Sequence, residues 1–149
     1  MDGNDGWRWR NVPLPEIHLF LIVIGAILNL RWPRRVTSTR RVRLLGGPLI
    51  IAGAVAAAWA TRTAGQVDLE HPERLITGGP YAVSRHPMYV AWTLIYLGVA
   101  LVLNMMWLFV LLPLLGLLTH REARREEKRL EDAFGLAYRT YRRRVRRYV

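Results

Sequence analysis

The chain has 149 residues, no cysteine, and a formal net charge of +11 from 22 basic residues, nearly all of them arginine, against 11 acidic ones. That length fits one domain, and the missing thiols exclude a disulfide framework, a thiolate metal site and a cysteine nucleophile. The charge calls for an anionic partner; no groove-reading motif accompanies the arginines, which sets nucleic acid aside and leaves anionic lipid headgroups.

How the apolar residues are distributed supports lipid. They gather in blocks at 14–30, 44–60 and 88–119, with the charges between them, whereas a soluble helix mixes both kinds at a period of 3.6. The sequence therefore predicts an all-α integral membrane protein of one domain, 1–149, with about four transmembrane helices, the last two a short hairpin, followed by C-terminal amphipathic helices. Residues 1–74 read as supporting helices for a site carried by 75–149.

Residues 1–13 are a polar lead-in whose Trp7 and Trp9 suit the headgroup level. Pro13 and Pro15 fit the first turn of a helix, where the missing N–H would have no partner anyway. The block from Leu14 to Leu30 is a minimal span and reads as a retained helix, since neither a basic n-region nor a cleavage site precedes it. Glu16 and His18 lie in its first turns; they either sit at the interface with access to water, the preferred reading, or face a polar cavity. Residues 31–43 hold six arginines and no acid, as expected of a loop or short surface helix against anionic headgroups. In the block from Leu44 to Ala60, Gly53 with Ala57 and Ala54 with Ala58 give a small-xxx-small face for close helix packing, and Trp59 marks the far interface.

Residues 61–87 are mixed in charge and long for a connector, which points to function; Asp68, Glu70 and Glu73 are expected to be solvated. The block from Met88 to Thr119 is too long for one span and short for two. Asn104, at its midpoint, is the expected tip of a helical hairpin; the alternative is one long tilted helix kinked near Pro113. A hairpin would return the end of the fourth helix to the start of the third. A charged helix over 120–134 then leaves the membrane, with Gly135 as its terminator. A second amphipathic helix, carrying Tyr138, Tyr141, Val145 and Tyr148 on one side and six arginines between 139 and 147, is expected on the headgroups.

Two stretches carry chemistry. In Ser84-Arg85-His86-Pro87, proline suits the first helical position, so His86 becomes the cap and the helix N-terminus, beside Arg85, forms an anion site. If the hairpin closes, Glu126-Glu127 lies across from it, ready for a cation or a ribose. Adjacent glutamates diverge by about 100°, so one of them is free to pair with Arg124 or Arg129. Tyr138 and Tyr141 read as interfacial anchors. Complementary groups of this kind suit a zwitterionic molecule with a sugar, S-adenosylmethionine among others. No metal ligand set is predicted.

The string Leu75-Ile76-Thr77-Gly78-Gly79-Pro80-Tyr81, then Arg85-His86-Pro87-Met88-Tyr89, and after the apolar block Glu126-Glu127, Leu130, Phe134-Gly135, Tyr138 and Tyr141 closely resembles the isoprenylcysteine carboxyl methyltransferase and phospholipid methyltransferase group of integral membrane enzymes. The resemblance covers 75–149, which it makes the cofactor-binding half with 1–74 as supporting helices and the acceptor side, and implies S-adenosylmethionine as methyl donor and a lipophilic acceptor bearing a carboxylate, amine or hydroxyl. It carries cofactor binding to Tyr81, Arg85, His86, Tyr89, Glu126 and Glu127, and a place near the reacting group to Arg121 and Glu127. Ala91 departs from the family's frequent glycine. Positive charge on both the 31–43 loop and the tail conflicts over orientation; because the cofactor is cytoplasmic, the tail and site are expected on that side. A membrane-anchored lipid-binding or scaffold protein without catalysis is the alternative reading.

Overall fold

In the computed structural model, which describes residues 16–65 and 74–149, the regular elements are helical and no strand forms among the described residues. They are α1 (Glu16–Arg31), α2 (Arg40–Leu44), α3 (Gly46–Ala64), α4 (Pro87–Val102), α5 (Met106–Phe134) and α6 (Leu136–Arg144), with a 3-10 turn at Gly79–Ala82 before α4. The lead-in with Trp7, Trp9, Pro13 and Pro15, and the acids Asp68, Glu70 and Glu73, lie outside the described residues.

Arg40–Ala64 and Met106–Phe134 are long and apolar enough to cross a membrane, and Pro87–Val102 is a shorter apolar helix. Large apolar side chains point outward along these helices and α1: Phe20, Val23 and Ile27 on α1, Ile51 and Val55 on α3, Val110, Leu114 and Leu117 on α5. In water such a surface would be an association hazard; in a bilayer it is the solvent-facing side.

The hairpin forms as the sequence predicts. Asn104 takes the left-handed conformation at φ 55°, which asparagine tolerates better than other non-glycine residues. Its side chain also ties the tip to the preceding loop. Val36 and Thr37 donate backbone N–H groups to its Oδ1 at 3.1 and 3.0 Å, and its Nδ2 donates to the Thr37 carbonyl at 2.9 Å. The Met106 amide donates to the Arg34 carbonyl and the Trp107 indole to the Trp32 carbonyl. Pro113 lies inside α5 without ending it.

Helices α3 and α4 meet across glycine. An added Cβ would stand 2.6 Å from the Ala91 carbonyl oxygen at Gly53 and 2.5 Å from the Gly98 carbonyl oxygen at Gly46, so no larger residue permits this approach. The inner core joins Leu21 of α1, Tyr96 and Ala100 of α4, and Leu108 and Leu115 of α5. Tyr96 donates its hydroxyl to the Leu108 carbonyl at 2.9 Å, which satisfies a buried polar group inside the apolar core. His18 departs from its expected place at a watery interface. It is buried, with Nε2 3.3 Å from Thr93 Oγ1 and its ring edge-on to Tyr96, while Glu16 is exposed.

Candidate functional site

Pro87 stands at the first position of α4, and His86 is its N-cap residue. At the other arm of the hairpin, α5 runs on from its apolar stretch into a charged extension over residues 120–134. The extension carries Glu126 and Glu127 back beside the start of α4. A carboxylate oxygen then lies near each ring nitrogen of His86: Glu127 Oε1 is 3.3 Å from Nε2 and Glu126 Oε2 is 3.4 Å from Nδ1. The two stretches, 41 residues apart in sequence, meet in one cluster.

The two glutamates differ as the helical angle between them requires. Glu127 is 5% exposed, whereas the Glu126 side chain is 43% exposed. Neither pairs with Arg124 or Arg129; Arg129 pairs with Glu122 instead. Arg147 donates through Nε and Nη2 to the two oxygens of Glu127, each at 2.8 Å, in the bidentate geometry that suits a guanidinium. Arg85 Nη1 lies 2.9 Å from Glu127 Oε1. That contact is an ion pair by distance, but its angle is not that of a hydrogen bond, and Arg85 Nε and Nη1 remain buried without a hydrogen-bond partner. Burial alone would push the Glu127 carboxyl up. The hydrogen bond from Arg147, with the charges of Arg85, Arg147 and His86, outweighs burial and holds the group below its ordinary 4.5.

Arg147 reaches Glu127 because α6 ends at Arg144 and the chain becomes extended from Val145. The extended tail pairs with the motif loop. Arg85 and His86 donate backbone N–H groups to the carbonyls of Arg146 and Arg147 at 2.9 and 3.2 Å, and Ser84 Oγ donates to the Arg147 carbonyl at 3.2 Å. Tyr148 then covers the cluster, with its hydroxyl 3.2 Å from His120 Nδ1. The expected continuation of the last helix through Tyr148 is therefore corrected: one face of α6 carries Tyr138 and Tyr141 only.

Tyr138 and Tyr141 are not interfacial anchors. They are 1% and 8% exposed and face the motif loop; Tyr141 donates its hydroxyl to the Tyr81 carbonyl at 2.6 Å, and the Tyr138 hydroxyl is buried with no hydrogen-bond partner. The Tyr81 phenol is pushed up to about 12 by burial and by the charge of Glu126. Tyr89, one turn into α4, stacks on His86 with ring centroids 5.4 Å apart.

Of the residues expected at the site, Tyr81, Arg85, His86, Tyr89, Glu126 and Glu127 thus come together. Arg121 does not join them: it lies on the exposed face of α5, about 120° around the helix from Glu127 by the 100° step per residue. Sequence reasoning missed Arg147, Ser84 and the buried role of Tyr138. The result is a buried cluster in which Arg85 and Arg147 flank Glu127, Tyr89 stacks on His86, and the half-exposed carboxylate of Glu126 lies at its edge. Among the described residues no group of acidic and histidine side chains has the arrangement of a metal site.

A family model described as phospholipid methyltransferase matches residues 42–137. The match takes in α3, upstream of the motifs read from sequence, and stops short of Tyr138. No curated protein matches the chain.

Proposed function

Because the chain belongs to the phospholipid methyltransferase family, we propose that it transfers a methyl group from S-adenosylmethionine to a lipophilic, membrane-embedded acceptor, the carboxylate, amine or hydroxyl of an isoprenoid or lipid. The observation that carries this reading is the meeting of Arg85-His86 with Glu126-Glu127 across a hairpin.

The residues fit the cofactor. Arg85 is ion-paired with Glu127, and its buried Nε lacks a hydrogen-bond partner, a donor that a ligand carboxylate would satisfy. The half-exposed carboxylate of Glu126 suits an ammonium or ribose hydroxyls, and the partly exposed ring of Tyr89 suits a flat base or a sulfonium. When bound, S-adenosylmethionine supplies a methyl group already activated on sulfonium. The protein's task is to hold donor and acceptor in line and exclude water. In this division of labour Glu126, Tyr89, Arg85 and Tyr81 meet the cofactor. Glu127 is a positioning residue whose oxygens hold Arg147, Arg85 and His86 in place. A carboxylate acceptor needs no base, and an amine needs only to arrive unprotonated, so no catalytic triad is required.

In the same reading the chain is one domain crossing the bilayer four times, the cofactor enters from the cytoplasmic side and the acceptor from between the helices, with residues 1–74 shaping the acceptor side. Calorimetric titration of detergent-purified protein with S-adenosylmethionine tests the cofactor. Saturable binding is expected, weakened roughly tenfold by Glu126→Ala, as loss of a charge-assisted contact implies, and also by His86→Ala, which removes the ring on which Tyr89 stacks. No saturable binding would favour the scaffold. Labelled cofactor incubated with whole lipid extract identifies the acceptor through its labelled product.

A further inference from the structure

At the end of the molecule opposite the methyl-transfer site, the Arg-rich loop folds over the hairpin tip and lines a half-open cavity of about 460 Å³, with Arg34, Arg35, Arg43, Thr37, Ser38 and Asn104 among its walls. Its guanidinium groups have no carboxylate within ion-pair distance among the described residues. Arg43 makes one weak contact, Nη2 to the Val102 carbonyl at 3.4 Å. Like charges gathered around a cavity repel one another, and an anion is the partner that offsets this. The loop is also held in place: three hydrogen bonds from and to the Asn104 side chain fix Val36 and Thr37 between the arginines, so the pocket is formed before any ligand arrives.

A second cavity of about 350 Å³ adjoins it, sharing Ser38 and Arg43, with Arg40 also in its lining, and continuing along Leu44, Gly47 and Val102. Leu44, Leu45 and Leu103 beside it are exposed on the apolar flank of the molecule. A basic polar pocket opening onto an apolar groove matches an anionic head and its hydrocarbon tail.

We propose that the pocket formed by Arg34, Arg35 and Arg43 at the hairpin tip binds a phosphate anion, that of an anionic phospholipid whose acyl chain follows the Leu44 and Val102 groove. The site is independent of the methyl-transfer reading. It also gives the arginines of this face a reason other than membrane orientation, since a bound headgroup neutralises them locally.

Native mass spectrometry of the full chain in detergent, titrated with dioleoyl phosphatidylglycerol, tests this. One saturable lipid is expected, and combined Arg34→Gln, Arg35→Gln and Arg43→Gln weakens it by roughly tenfold or more, as loss of charge-assisted contacts implies. The charge-matched control Arg124→Gln, Arg143→Gln and Arg144→Gln, exposed residues at the other end, retains it. Equal binding by the two triple variants would overturn the proposal. If the first triple variant loses its helical circular dichroism, single Arg34→Gln and Arg35→Gln variants replace it, and binding unchanged in both overturns the proposal equally. Inorganic phosphate separates the sources: lipid retained in millimolar phosphate supports the phospholipid, whereas displacement reassigns the same anion site to free phosphate and overturns the acyl-chain part.

Discussion

A buried carboxylate is expensive unless cations replace the water it loses, and at Glu127 the cation with the better geometry is Arg147. Arg147→Ala removes two charge-assisted bonds of 2.8 Å and leaves Arg85 and His86 as the remaining partners. The Arg147 side chain is itself 29% exposed, so the expected loss is about 2 kcal/mol rather than the full penalty of an orphaned buried charge; chemical denaturation in detergent measures it. The sign of the pH dependence follows from the same carboxyl. Its folded value lies below the ordinary 4.5, so its contribution to stability is fully present above that pH and is lost as pH falls through the folded value. The midpoint of thermal unfolding should therefore drop as pH is lowered below 4.5, and Glu127→Gln should flatten that part of the profile. Arg121, by contrast, has no place in the cluster, and Arg121→Ala should change cofactor affinity by less than about twofold, as for other exposed charges. Arg85, His86 and the glutamate pair were legible because each stands out in its neighbourhood. Arg147 was not, since it is one of six arginines in nine positions, and only the switch to extended chain at Val145 singles it out.

Two elements set the geometry in which those residues meet, the glycine seam between α3 and α4 and the turn at Gly135. At Gly53 a Cβ would stand 2.6 Å from backbone oxygen of Ala91 and 2.7 Å from Ile95, and backbone cannot swing aside as a side chain does. Gly53→Ala should part the helices and destabilise by about 1–3 kcal/mol, while Gly116→Ala, with nothing within 4 Å of its added Cβ, should be tolerated; unfolding of both variants in one detergent makes the comparison. The carbonyl of Ala91 is what Gly53 admits. Gly135 turns the chain from α5 into α6 at φ 51° and ψ −118°, a conformation open essentially to glycine. Small residues, hairpin tip and helix terminator were all legible, because glycine and asparagine announce backbone needs directly. The burial of Tyr138 and Tyr141 was not: an amphipathic helix over arginines reads the same whether its apolar side meets lipid or protein, and only the docked motif loop decides.

At the scale of the whole molecule, the 32–39 loop and hairpin tip stand at one end and the Arg85-His86 cluster at the other, joined by helices of unequal length. The shorter helix α4 has 16 residues, about 24 Å at ~1.5 Å per residue. A hydrocarbon core is ~30 Å thick, a mismatch that local thinning and flanking arginines accommodate at modest cost. In the four-crossing arrangement proposed above, the loop and the tail face opposite compartments, although each is rich in arginine. The absence of cysteine makes this directly measurable. Single Thr39→Cys and Arg143→Cys variants, both at exposed positions, would be treated with a membrane-impermeant maleimide in sealed right-side-out cells. Thr39→Cys should label at once and Arg143→Cys only after the membrane is permeabilised. Labelling of both from one side would rule out the four-crossing arrangement and leave the hairpin dipping into, rather than crossing, the bilayer. Opposite-sided labelling with the pattern reversed would keep the crossings and move the cofactor site to the outer face, where a cytoplasmic methyl donor does not reach it.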